Sequence, residues 1–135
     1  MIRTFALVAL IAVSQASAAR ECTKQEGFAA ETTADYLDSW SNVYLFFKQF
    51  GHCYDAAIAE GANDKIQQLW DRHWDDLAAM IELTSKDTAF KAFIWQRLKD
   101  KDFPHDTFQR VVGYATSRCP TVAKEFCAAV VSEAR

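Results

Sequence analysis

The chain has few of the residues that break or bend a backbone: four glycines and two prolines in 135 positions. Four scattered glycines build no phosphate-cradling loop, which excludes the P-loop and dinucleotide-binding classes. No serine stands in a Gly-x-Ser-x-Gly turn. No two cysteines have the Cys-x-x-Cys spacing of a zinc or redox motif. Nowhere does apolar–polar alternation meet the paired turn signals of a hairpin, and no block of about twenty to fifty residues repeats. Positive charge is not in excess either: 15 Lys and Arg stand against 18 Asp and Glu. Nucleic acid demands a basic footprint, so it is excluded as a partner. What is plentiful is apolar and aromatic sequence, half of all residues being apolar, which is enough for one real core.

The longest apolar run lies at the start. Arg3 supplies a positive end, Phe5 to Val13 is unbroken apolar sequence, and Ala16-Ser17-Ala18 has the small-x-small pattern of a cleavage site. This reads as a secretory signal peptide over residues 1–18, too short to span a bilayer as a mature helix. Cleavage is expected after Ala18 or one residue later. Ala19-Arg20-Glu21, ahead of Cys22, is not a lipid-attachment motif. Residues 19–135 then form a single α-helical domain of 135 − 18 = 117 residues, with net charge 14 − 18 = −4 because only Arg3 is lost. Its expected location is periplasmic or secreted, with no membrane span.

All four cysteines fall in that part, and an even count in an exported chain reads as two disulfides. Three pairings are open, of which Cys119–Cys127 with Cys22–Cys53 is favoured. A straight helix would hold Cys119 and Cys127 about 12 Å apart, beyond disulfide reach. Pro120 supplies the bend by starting a helix one residue after Cys119. No metal and no cofactor is implied.

The most strongly patterned stretch is Asp64 to Leu83. Read as a helix, it puts Ile66, Leu69, Trp70, His73, Trp74, Leu77 and Ile81 on one face, and Gln67, Gln68, Asp71, Arg72, Asp75, Asp76 and Glu82 on the other. Asp64 with Gln67 resembles a capping box opening this helix, and a bend is expected near Trp74–Asp76. Upstream, residues 19–33 read as an extended or poorly ordered lead-in tethered by Cys22. A helix starting near Thr33 or Asp35 carries the stripe Tyr36, Leu37, Trp40, Val43, Tyr44, Phe47 and Phe50, and Gly51 is placed to end it. Asp55 caps a short segment through Glu60 that Gly61 stops.

Downstream, Thr84-Ser85-Lys86 reads as a loop. Asp87 caps a helix burying Phe90, Phe93, Ile94 and Leu98. Residues 99–102 form a turn, and Pro104 suits the start of a helix burying Phe108, Val111, Val112 and Ala115. A last helix, Thr121 to about Glu133, buries Val122, Phe126 and Val130. The fold class is all-α: a small bundle of five or six helices, packed as antiparallel neighbours and stapled by disulfides.

Chemistry has few footholds. His73 with Asp76 three residues on could bind a metal or form an acid–base pair, but no third ligand follows at helical spacing. Within the stripe, His73 reads as a structural histidine. Asp71, Asp75 and Asp76 share one exposed face, whereas a hydrolase needs carboxylates facing across a cleft. Arg72 can pair with Asp76 at four-residue spacing. Better candidates are residues that leave their core stripes: Trp95 on its helix, and Leu45 with Phe46 on the first long helix. Each is either an interface anchor or is covered by a neighbouring helix. The segment from Asp55 through Glu60 to Asp64 is a further candidate surface.

The motif F-x-x-C-x-D-x-A-I-A-E-G from Phe50 to Gly61 is followed by three others. They are W-D-x-L at Trp74–Leu77, D-x-x-F-x-x-F at Asp87–Phe93, and R-C-P with a cysteine seven residues after the proline, at Arg118–Cys127. Together they resemble a group of small exported proteobacterial proteins. In size, export signal, helical content and cysteine use, that group is similar to the periplasmic immunity proteins that protect bacteria against peptidoglycan amidases injected by type VI secretion. No inhibitory loop of that family matches residue by residue, so the resemblance implies a class and no site. It implies a non-enzymatic periplasmic protein that binds another protein, a peptidoglycan-degrading effector, through an aromatic and acidic surface. The other readings are a periplasmic metal-binding protein or enzyme using His73 and neighbouring acids, and a structural envelope-associated helical protein. Oligomeric state is not legible.

Overall fold

The computed structural model describes residues 20–134. The expected signal peptide, residues 1–18, lies outside the described residues. These form α1 (Lys24–Ala34), α2 (Trp40–Phe50), α3 (Ala56–Arg72), α4 (Leu77–Lys86), α5 (Thr88–Arg97), α6 (His105–Ser117) and α7 (Lys124–Glu133). Short 3-10 turns occupy Gly51–Cys53, Trp74–Asp76 and Thr121–Ala123. The fold is all-α, with seven helices and no strand among the described residues, where five or six helices were expected.

The additional helices have local causes. α1 replaces the expected lead-in. The Thr23 hydroxyl accepts from the Glu26 N–H at 3.2 Å, and the Glu26 carboxylate accepts from the Thr23 N–H at 3.0 Å, a reciprocal capping box. α2 starts later than expected, at Trp40, because Ser39 caps it through the Asn42 N–H at 3.2 Å. Its buried residues are Trp40, Val43, Phe46 and Phe50, while Tyr36 is exposed in the turn before it. Gly51 follows in right-handed backbone, φ −56°, and the chain runs on into a 3-10 turn.

α3 corrects the expected break at Gly61. It passes without interruption through Gly61 and Asp64, so neither the stop nor the capping box forms. Packing explains this. Ala62, Ile66, Leu69 and Trp70 are buried along the helix, and a Cβ at Gly61 would sit 3.6 Å from that of Ala34 on α1. Burial on that scale outweighs the roughly 1 kcal/mol that an internal glycine costs. The bend comes at His73, followed by the 3-10 turn Trp74–Asp76. Thr84, Ser85 and Lys86 are the last turn of α4 rather than a loop, and Thr84 is buried. As expected, the Asp87 carboxylate caps α5 through the Phe90 N–H at 2.9 Å. α6 starts directly after Pro104, with Val111 and Ala115 buried and Phe108 and Val112 at the core's edge. In α7, Phe126, Cys127 and Val130 are buried, but Val122 is 64% exposed, against expectation.

Trp70 stands at the centre of the core. Its ring stacks on Phe103 at 6.0 Å and meets Trp40 at 6.0 Å and Phe126 at 5.5 Å. Elements distant in sequence thus converge on one fully buried indole. The Trp74 Nε1–H donates to the Arg118 carbonyl at 3.0 Å, tying the bend to the end of α6. The disulfides pair Cys22 with Cys53 and Cys119 with Cys127, at Cα separations of 5.0 Å and 6.2 Å. Extended backbone at Pro120 and the 3-10 turn after it provide the bend that the second bridge requires.

Candidate functional site

Trp95 leaves the core stripe of α5, formed by Phe90, Ile94 and Leu98, and packs edge-on against Phe126 of α7 at 5.1 Å. The Lys91 ammonium lies over the indole face at 5.1 Å, and its Nζ also reaches the Glu125 carboxylate at 2.7 Å. The half-buried ring lines a groove of about 80 Å³ together with Lys91, Glu125 and Phe126, and with Ile81, Ser85 and Val122. Trp95 is therefore partly covered by a neighbouring helix and partly available. Exposed Val122 extends its apolar surface outward, and α4, α5 and the 3-10 turn before α7 fix the groove's walls.

The remaining candidates separate. Leu45 is 62% exposed on a polar face of α2, between Asn42, Lys48 and Gln49. Phe46 is buried, with Phe50 at 5.8 Å and Tyr54 at 6.5 Å, and is therefore core rather than surface. Asp55 borders a depression beside the Cys22–Cys53 bridge, with Phe28, Ala57 and Ile58. Glu60 faces a different cleft, with Asp64 and Asp102. The Asp55–Asp64 segment thus presents two surfaces and not one. Phe28, 75% exposed on α1, was hidden in the supposed lead-in, although Thr23-Lys24-Gln25-Glu26 carries the capping-box pattern that announces a helix.

His73 is corrected more sharply. It sits at the junction of α3 and α4, and its side chain is 54% exposed, outside the aromatic core. Its Nδ1 lies 3.7 Å from the Asp76 carboxylate, beyond hydrogen-bond distance. Asp76 is exposed, and the other two acids of the cluster are directed elsewhere. Asp71 takes a two-pronged bond from Arg110, at 2.8 and 2.9 Å, which holds its carboxyl below the usual carboxylate range. Asp75 pairs with Arg118 at 2.7 Å. Arg72 makes no ion pair with Asp76.

Glu26, His52 and Cys53 bring potential ligand atoms within 4.8 Å of one another. Cys53, however, is bonded to Cys22 and offers no thiolate, so two donors remain where a metal site needs at least three. Glu26 accepts a hydrogen bond from Arg20, and His52 Nε2 lies 3.4 Å from its carboxylate.

Fold and surface together define an all-α, doubly disulfide-bonded bundle with a small aromatic groove on one flank. Comparison with family models, with curated proteins and with solved structures finds no match to this chain.

Proposed function

We propose that this is an exported, non-enzymatic protein that works by binding another protein, with the Trp95–Val122 groove as part of the contact surface. The observation that carries the reading is the state of Trp95. It is braced by Phe126 and Lys91 yet only half-buried, in a groove it shares with exposed Val122. A tryptophan already held in one orientation contributes contact area at little further entropic cost, and such anchors dominate interface energetics. Two disulfides suit an oxidising compartment. Among the described residues no helix is long and apolar enough to cross a membrane. Of the acids near His73, Asp71 and Asp75 are held by separate arginines and Asp76 lies beyond hydrogen-bond distance of the imidazole, which favours binding over acid–base chemistry.

The partner proposed is a peptidoglycan-degrading effector, and the role that of a periplasmic inhibitor or immunity protein. The test uses capture from envelope extract and inhibition of purified peptidoglycan amidases, comparing the parent with Val122→Asp. Val122 is exposed, so the variant should melt like the parent, within about 0.5 kcal/mol of stability. Capture and inhibition should weaken about tenfold or more. Equal capture by the two proteins, or no inhibition by the parent, would remove the groove or the immunity role respectively.

A further inference from the structure

α3 carries a second, unrelated feature. Glu60, Asn63, Asp64 and Gln67 recur at the spacing that places them on one helix face. With Asp102 and Pro104 they line a cleft of about 220 Å³. Because α3 runs unbroken, Asp64 and Gln67 have no capping duty to perform. Glu60, Asp64 and Asp102 form no ion pair with any described residue; Asp64 accepts only from the Gln68 amide, at 2.6 Å.

Gln67 decides the matter. It is 5% exposed, one of only two buried polar residues among those described; it lines the cleft, and its amide makes no hydrogen bond to any described residue. Buried polar groups are normally paired, and one left open toward a cavity points to a ligand. The floor and rim are firm. Asn63 is fixed by Tyr54, Asp100 and Arg97, accepting from Arg97 at 3.4 Å. The turn carrying Asp102 is anchored by buried Phe103 stacked on Trp70.

We propose that this cleft binds a guanidinium group, with Gln67 Oε1 and the carboxylates of Glu60, Asp64 and Asp102 as acceptors. The separation of the acids argues for this chemistry over a divalent metal. The three carboxylates of the cleft do not come within 4.8 Å of one another, which is dispersed for an ion that draws several charged oxygens into contact. A guanidinium spreads five donors over a planar fork and suits acceptors placed apart. Its source is either a free small molecule or an arginine side chain of a partner protein. The site shares no residue with the Trp95 groove and does not depend on that groove's role.

The test titrates agmatine, and separately the blocked peptide Gly-Arg-Gly, into isotope-labelled protein, and follows the Gln67 side-chain amide by NMR. That resonance should move, with the backbone amides of Asp64 and Asp102. Binding should weaken at least tenfold in Gln67→Leu, which fills the same buried space without the amide, and in Glu60→Gln with Asp102→Asn, which leaves the core untouched. Tighter binding of agmatine identifies a free guanidine, and tighter binding of the peptide a partner's arginine. Absence of any shift at Gln67 with both probes, or parental binding in both variants, overturns the proposal.

Discussion

The Glu26 carboxylate has its proton affinity set by its surroundings. The Thr23 backbone N–H and then the Thr23 hydroxyl hold its pKa down to about 2, with smaller help from His52 and Arg20. A depressed carboxylate favours the fold above the ordinary carboxylate range, and that contribution is lost as pH falls from there to about 2. An NMR pH titration should therefore find Glu26 ionised well below pH 4, and Thr23→Val should raise its midpoint. A Glu26 midpoint in the ordinary range would mean that the cap does not form. Residues with such local partners are legible in sequence: Asp87 was read correctly as a cap because its acceptor and its donor are three residues apart. Gln67 was not legible. It reads as part of the polar face of its helix, yet it is buried in the cleft that it lines with Asp102 and Pro104, residues far from it in sequence.

At the scale of elements, α3 and α4 show why a periodic stripe is a good guide to burial and a poor one to boundaries. Ile66, Leu69, Trp70, Trp74 and Leu77 are buried as their spacing indicates, yet the helix breaks among them. A 3-10 turn advances the chain by nearly the same rotation per residue, so the inward pattern survives the break. His73 sits at the break itself and turns outward, off the buried stripe on which its spacing placed it. Gly61 and Asp64 failed as punctuation because neighbouring packing outweighed a modest local preference. Gly113 lies within α6, and a Cβ there would meet nothing within 4 Å. Gly113→Ala should stabilise the protein by about 0.5–1 kcal/mol in urea unfolding, because only the unfolded chain loses freedom. A loss of stability would show that α6 packs more tightly there than described.

For the whole molecule, the all-α class and both bridges were legible from apolar spacing and cysteine count, whereas the surface was not, because exposure depends on which helices meet. The bridges differ in span, 31 residues for Cys22–Cys53 and 8 for Cys119–Cys127. Loop closure assigns them about 3.7 and about 2.5 kcal/mol. Replacing Cys22 and Cys53 by Ser should thus cost more in urea unfolding than replacing Cys119 and Cys127, by about 1 kcal/mol. The reverse order would locate the stabilisation in native contacts around the short bridge. Both bridges also join cysteines that are neighbours in the order of the chain. A polypeptide emerging N-terminus first presents Cys22 and Cys53 together, with sixty-five residues still to come before Cys119. An oxidant acting on thiols as they appear closes the correct pair before a wrong one exists. Oxidation in that order would reach the native connectivity without an isomerase to reshuffle it, whereas a fully reduced chain oxidised all at once must choose among three.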